Sequence, residues 1–150
     1  MQVRLAGPGD REALAGLRRA WVEEQRGAPV VDDDFAERFT DWLEREQHQR
    51  VTWLALADGE PAGMLNVLVF TRMPRPGVPE PSRWAYLANF FVRREHRDAG
   101  VGSRLLAACT TYCDEQCFVR IVLSPSERSV PLYARSGFAP ATSLMVRTPG

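Results

Sequence analysis

Lysine is missing from this chain of 150 residues, and all 19 of its basic residues are arginine. Acidic residues also number 19, so the net charge is zero. That balance argues against nucleic acid as the main partner, which a domain-wide basic excess would signal. Guanidinium groups suit paired recognition of carboxylate and phosphate. Histidine and cysteine are scarce, at two and three. Cys109, Cys113 and Cys117 fall at four-residue spacing, but no C-x-x-C pair is present and His48 and His96 are distant in sequence. Zinc prefers four ligands in tighter pairs, so no metal is expected, and these read as core or helix-flank thiols in a reducing compartment. No apolar run approaches the roughly 18 residues of a membrane span. The opening M-Q-V-R-L-A lacks the apolar stretch of a signal peptide. A cytoplasmic protein with no membrane partner is the expectation. The P-loop string G-x-x-x-x-G-K-[ST] does not occur, and a dinucleotide fingerprint begun at Gly100 and Gly102 fails at Leu105. Repeats, low-complexity tracts and linkers are also lacking, which leaves one domain over residues 1–150.

What is present has the composition of a globular protein, 45% hydrophobic and 25% charged, on a chain long enough for a core. Gln2 to Ala6 reads as a short strand. Asp10 is placed to cap a helix carrying Leu14, Leu17 and Trp21 and ending near Gln25. After a connector with Pro29, Asp32, Asp33 and Asp34 are placed to cap a second helix. Its Phe35, Phe39, Trp42 and Leu43 form an amphipathic stripe, either packed on a sheet or walling a pocket. Val51 to Ala57 and Ala62 to Phe70 read as a hairpin about the turn Asp58 to Pro61. Thr71 to Arg83 holds four prolines and no periodicity. It is read as a substrate-facing lip or a rigid connector. A strand over Trp84 to Val92 follows. Further on, Phe118 to Leu123 reads as a strand, Val130 to Ser136 as a short helix closed by Gly137, and Leu144 to Arg147 as a last strand. This order predicts an α/β fold with a mixed sheet.

The centre of the chain is V-R-R-E-H-R-D-A-G-V-G-S-R-L-L, Val92 to Leu106. A strand precedes it, and Val101, Leu105, Ala108 and Tyr112 recur on one helical face after it. A strand entering a helix through glycines leaves backbone N–H groups without intrahelical partners. Those donors and the positive end of the helix dipole favour an anion such as pyrophosphate, and glycine permits its close approach.

Three segments together resemble the GNAT N-acetyltransferase superfamily. Y-L-A-N-F-F-V, ending at Val92, resembles the family's fourth strand. R-D-A-G-V-G, Arg97 to Gly102, resembles its acyl-CoA pyrophosphate motif [Q/R]-x-x-G-x-[G/A]. L-Y-A-R-S-G-F, Leu132 to Phe138, resembles its tyrosine-bearing segment. The resemblance implies a splayed mixed β-sheet flanked by helices, with acetyl-CoA as co-substrate and pantetheine lying between the strands that end at Val92 and Leu123. It implies that the main chain at Phe91 and Val92 bonds the pantetheine arm. It also implies that Arg97 and the N–H groups of Ala99, Gly100, Val101, Gly102 and Ser103 receive the pyrophosphate. The family usually has Gly or Asn at position 98 and often a basic residue at 99, where this chain has Asp98 and Ala99. A carboxylate there would repel pyrophosphate, so Asp98 is expected to turn outward, with Arg93, Arg94, Arg97 or Arg104 supplying positive charge.

The reaction so implied is direct attack of an amine, from a small molecule or a peptide, on the acetyl thioester. An alkylamine of pKa ~10 is about one part in a thousand neutral at pH 7, a cost of roughly 4 kcal/mol. Some relatives carry a glutamate early in the fourth strand, but this chain has Tyr86 there, so no base is assigned. Glu23, Glu24, Glu44 and Glu46 are helix glutamates near the expected pocket, and Asn89 is a candidate for orienting the acceptor. His96 is read as loop packing. Tyr133 takes the general-acid role by resemblance, since a phenol is protonated at neutral pH. The alternative is an acyl-CoA-binding module without catalysis. A homodimer is compatible with either.

Overall fold

The computed structural model describes residues 1–150. Strands β1 (Gln2–Leu5), β2 (Arg50–Ala57), β3 (Glu60–Thr71), β4 (Arg83–Val92) and β5 (Ile121–Val122) form one sheet in sequence order. Every neighbouring pair is antiparallel except β4 with β5, which is parallel. Helices α1 (Arg11–Arg26) and α2 (Phe35–Glu46) cover one face, while α3 (Val101–Glu115) and α4 (Val130–Arg135) lie on the other.

Alternation along the strands builds two cores. Trp53, Ala55, Leu65 and Val67 meet Val101, Leu105, Leu106 and Cys109 of α3. Leu54 and Met64 point the opposite way, against Leu14 and Leu17 of α1. Cys109 and Cys113 are buried in the α3 core, and Cys117 is exposed.

Two features open the sheet where a ligand needs room. First, β4 and β5 pair only through Ala85 with Ile121 and Tyr86 with Val122, then diverge. The mixed sheet is thus splayed, as expected, although the strand expected over Phe118 to Leu123 shortens to Ile121–Val122. Second, Asn66 pairs with Asn89 and Val67 with Leu87, so Ala88 has no partner on β3. This bulge places Ala88 and Asn89 side by side on the α1/α2 face. Strict alternation from Leu87 would have sent Asn89 to the α3 face.

Several local expectations are corrected. Asp10 stands at the N-cap position of α1 but makes no capping bond to it. Its carboxylate takes both Arg4 nitrogens, at 2.7 and 2.9 Å, and the Gly7 N–H at 2.7 Å. Asp34 makes no side-chain cap on α2 either, and Asp32 instead grips Arg38 at 3.0 and 2.5 Å. Leu144 to Arg147 forms no strand, and Leu144, Met145 and Val146 are exposed. The sheet ends at β5, whose two paired residues offer too short a ladder for a sixth strand, and propensity without a partner makes none.

The Arg4–Asp10 pair carries a pH signature. Arg4, then the Gly7 N–H, draw the Asp10 carboxyl down to about 2. A depressed folded-state pKa stabilises the fold above the ordinary carboxyl range near pH ~4, and the gain is lost as pH falls toward 2. Asp10→Asn is expected to cost about 1–2 kcal/mol in urea unfolding at pH 7 and nearly nothing at pH 2. A gap that stays constant across that range would show the loss to be packing rather than charge.

Candidate active site

At the end of β4 the chain turns through a short 3-10 segment, Arg94–His96, into α3. Asp98 and Gly100 both have positive φ, 60° and 82°. An added Cβ at Gly100 would meet nothing within 4 Å, so its glycine serves backbone conformation rather than space. Left-handed backbone is tolerated by Asp and Asn among non-glycine residues, which explains how Asp98 fits. None of the backbone N–H groups from Asp98 to Ser103 has an acceptor in the protein. Asp98, Gly100, Val101, Gly102 and Ser103 of this stretch help to line a cavity of about 740 Å³. This is the stretch that the sequence offers as an anion cradle.

Its charges are not those expected. Arg97 lines the cavity, but its guanidinium bonds both carboxylate oxygens of Glu24, at 2.6 and 2.7 Å. Its Nε donates to the Val92 carbonyl at 3.0 Å. Arg94 also reaches Glu24, at 3.4 Å, Arg93 bonds the Pro61 carbonyl, and Arg104 bonds the Met1 carbonyl. Cationic side chains without a carboxylate partner come instead from Arg128, just before α4, and Arg135, at its end, across the opening. Sequence reading missed them because they lie far along the chain from the glycine loop. Asp98 is exposed, borders the same cavity and forms no side-chain bond. His96 borders it too. Asp98→Asn keeps the left-handed backbone and removes one negative charge. Acetyl-CoA affinity is expected to hold or rise by a few-fold in calorimetry, with the gain shrinking at high salt. A large loss of affinity would mean that the Asp98 carboxylate holds the loop in shape.

From this opening a trench of about 360 Å³ runs between the diverging ends of β4 and β5. Phe90 and Val92 line one side, Leu123 and Ser126 the other, and Gly102 and Tyr133 close it. An added Cβ at Gly102 would stand 3.6 Å from the Phe90 ring, inside that passage. Arg93 donates its N–H to Ala62 on β3. Antiparallel pairing alternates, so the Val92 main chain faces the open side and the Phe91 main chain faces β3. Phe91 therefore differs from expectation: its backbone belongs to the ladder, and its ring stacks on Trp21 at 5.7 Å. The Tyr133 ring is buried edge-on to Phe90 and Phe138. Its hydroxyl has no protein partner yet is not sealed from solvent. Burial, with a smaller contribution from Cys109, raises the phenol above its ordinary pKa.

A further cavity of about 430 Å³ lies on the α1/α2 face. Phe35, Phe39, Trp42 and Leu43 of α2 line it, and no residue of α2 is fully buried. The aromatic stripe thus walls a pocket as well as packing. Ala88 lines both this cavity and the trench, so the two meet at the bulge. Asn89 faces the cavity with a side-chain amide that makes no protein bond, whereas Asn66 is held between Arg50 and Thr52. No carboxylate or histidine lines it. The four helix glutamates are all paired, Glu23 with Arg19, Glu24 with Arg97, Glu44 with Arg11 and Glu46 with Arg50. The Arg97 hydrogen bonds hold the Glu24 carboxyl below its ordinary range, which suits an anchor and not a base. No residue of the loop from Thr71 to Arg83 lines the opening, the trench or this cavity. It joins the ends of β3 and β4 remote from the glycine loop, as a connector rather than a lip.

A splayed mixed sheet, with one cavity at the glycine loop and a second at its bulge, is the frame of an acyltransferase of the acyl-CoA-using kind. The acetyltransferase (GNAT) family profile matches residues 15–138, and this chain belongs to that family. Acetyl-CoA is its co-substrate. Three solved structures share the fold. A predicted acetyltransferase from Clostridium acetobutylicum, crystallised with acetyl-CoA, is 17% identical with a TM-score of 0.76, covering 98% of this chain and 95% of the other. An acetyltransferase from Trypanosoma brucei is 19% identical with a TM-score of 0.72, covering 99% of each. A GCN5-related N-acetyltransferase from Ralstonia eutropha is 24% identical with a TM-score of 0.70, covering 99% of each. Among curated proteins, none matches this chain in sequence. No helix is long and apolar enough to cross a membrane.

Proposed function

We propose that this protein transfers the acetyl group of acetyl-CoA to a primary amine of a small molecule or peptide by direct attack, with Tyr133 as general acid. The observation that carries this reading is the junction at Ala88, where the trench walled by Tyr133 meets a separate cavity able to hold an acceptor. In this reading the amides from Ala99 to Ser103 receive the pyrophosphate. Arg128 and Arg135 add the charge that Arg97, latched to Glu24, does not. The Val92 N–H faces the pantetheine arm, and the Phe90 ring shapes its wall. Arg97 acts as a positioning residue that ties the glycine loop to α1. Acetyl-CoA supplies an activated acyl group on a thiol leaving group.

Attack forms the new N–C bond and breaks the C–S bond. The Tyr133 hydroxyl, free of protein partners, stands on the trench wall to give a proton to the departing sulfur. No carboxylate lines the acceptor cavity, so the amine proton leaves through water rather than to a fixed base. Asn89, beside the junction, is placed to orient the acceptor. Calorimetric titration with acetyl-CoA and CoA, followed by free-thiol release across an amine panel, tests the reading. Binding with amine-dependent release is expected. Binding without release from any amine would favour the acyl-CoA-binding module, and no binding would remove the glycine loop from the argument.

A further inference from the structure

Resting on that reading, we propose that the acceptor is an amine carrying a carboxylate and a large apolar side chain, and that Arg18 receives the carboxylate. The walls of the acceptor cavity state its chemistry by what they hold and what they omit. Three arginines line it, Arg18, Arg38 and Arg50, and no acidic residue does. A site for a polyamine would present carboxylates to its extra ammonium groups; this one presents cations.

The three arginines are not equivalent. Arg38 is neutralised by Asp32 through two short bonds. Arg50 gives Nε to Glu46 at 2.9 Å and Nη1 to Asn66 at 2.9 Å, with its guanidinium over Trp42. Both are spent on the protein. Arg18 has no carboxylate or carbonyl partner, and its guanidinium lies over the Trp21 ring at 4.8 Å. It is a half-buried cation beside an apolar cavity, the arrangement that an incoming anion completes. Stacking on an aromatic face holds the guanidinium plane while leaving its edge for paired bonds to a carboxylate.

Position supports the same conclusion. Trp21, on which Arg18 rests, lines the trench, while Arg18 itself lines the acceptor cavity. Arg18 therefore stands where the two spaces approach each other. A carboxylate bound there keeps an amine only a few bonds away, toward the Ala88 junction. Phe35, Phe39, Trp42 and Met64 surround the rest of the cavity with apolar surface, which fits a bulky side chain. The pairing also eases the chemistry. In a free α-amino acid the carboxylate favours the charged ammonium, and a guanidinium that takes the carboxylate weakens that hold. The neutral amine then forms at lower cost in a cavity that has no base.

The test compares L-phenylalanine with phenethylamine, which differ only in the carboxylate, and adds spermidine as a polycation. Each is titrated calorimetrically into the CoA-saturated protein and, separately, assayed for thiol release with acetyl-CoA. L-phenylalanine is expected to bind and react better than phenethylamine by about 10- to 100-fold, the worth of a charge-assisted pair. Arg18→Gln should erase that preference while leaving phenethylamine and acetyl-CoA affinity unchanged, and Arg18→Lys should restore part of it. Carboxylate-dependent binding without thiol release would uphold the anion site and count against the transfer reading. Thiol release with phenethylamine or spermidine in preference to L-phenylalanine would overturn the proposal and keep the transfer reading. Absence of L-phenylalanine binding, or an Arg18→Gln loss shared equally by all amines, would also overturn it.

Discussion

Replacing Tyr133 by Phe is expected to lower acetyl-transfer turnover by about 10²- to 10⁴-fold while leaving acetyl-CoA affinity within about threefold. The substitution removes one oxygen and nothing else. The ring keeps its edge contacts with Phe90 and Phe138, at centroid distances of 6.2 and 5.6 Å. The hydroxyl makes no protein bond, so its loss leaves no buried partner stranded. A fall in turnover therefore reports chemistry rather than folding. Burial raises the phenol pKa, so the acid is fully protonated at neutral pH. Any loss of wild-type rate through its ionisation falls above the ordinary phenol value near pH ~10. Stopped-flow single turnovers, with affinity measured by calorimetry, separate the two quantities. Turnover unchanged in the variant would assign the thiolate's proton to water.

Gly63 predicts the largest loss of stability. A Cβ at this position would stand 2.8 Å from the Phe91 carbonyl oxygen, 3.2 Å from Leu105 and 3.3 Å from Val92. The first neighbour is backbone and cannot rotate away. Gly63→Ala already forces β3 and β4 apart, and Gly63→Val adds two methyl groups in the same confined space. Overpacking of this kind costs about 1–3 kcal/mol, and Val is expected at or beyond the upper end. The melting temperature should fall by roughly 10 °C for a chain of this size. Because Gly63 pairs with Val92, the displacement reaches the trench wall, and acetyl-CoA affinity should fall with stability. Urea unfolding of the Ala and Val variants gives a graded series. Equal midpoints for both and for the parent would show that the two strands separate there without cost.

Much of this was readable before any coordinates. The α1 and α2 stripes, the hairpin of β2 and β3, and the glycine turn into α3 are local patterns whose period names the element. The run of unpaired amides followed from the same local logic, since the glycines and helix start fix where they fall. Tyr133 came only through likeness to a family segment; nothing in its own neighbourhood marks it. The side of the sheet that Asn89 faces was not readable, because one unpaired residue at Ala88 reverses the alternation after it. Glu24 could not be told from a solvated glutamate until α1 brought it to Arg97, 73 residues on. Arg128 and Arg135 reach the cavity at the glycine loop only because α4 folds back across the splay. The failed last strand shows the reverse case, since apolar alternation over Leu144 to Arg147 has no ladder to join.

By itself, then, the sequence determined the order of elements, the glycine turn into α3, the membership signalled by three spaced segments and the absence of lysine from every site. Local periodicity and backbone chemistry set these, and they need no distant partner. The tertiary structure alone decided which arginines are paired with carboxylates, where the trench approaches the α1/α2 cavity, and that no carboxylate or histidine lines that cavity. Those depend on pairings between residues far apart in the chain. Whether a given guanidinium finds a carboxylate is fixed only when the sheet brings both to the same place.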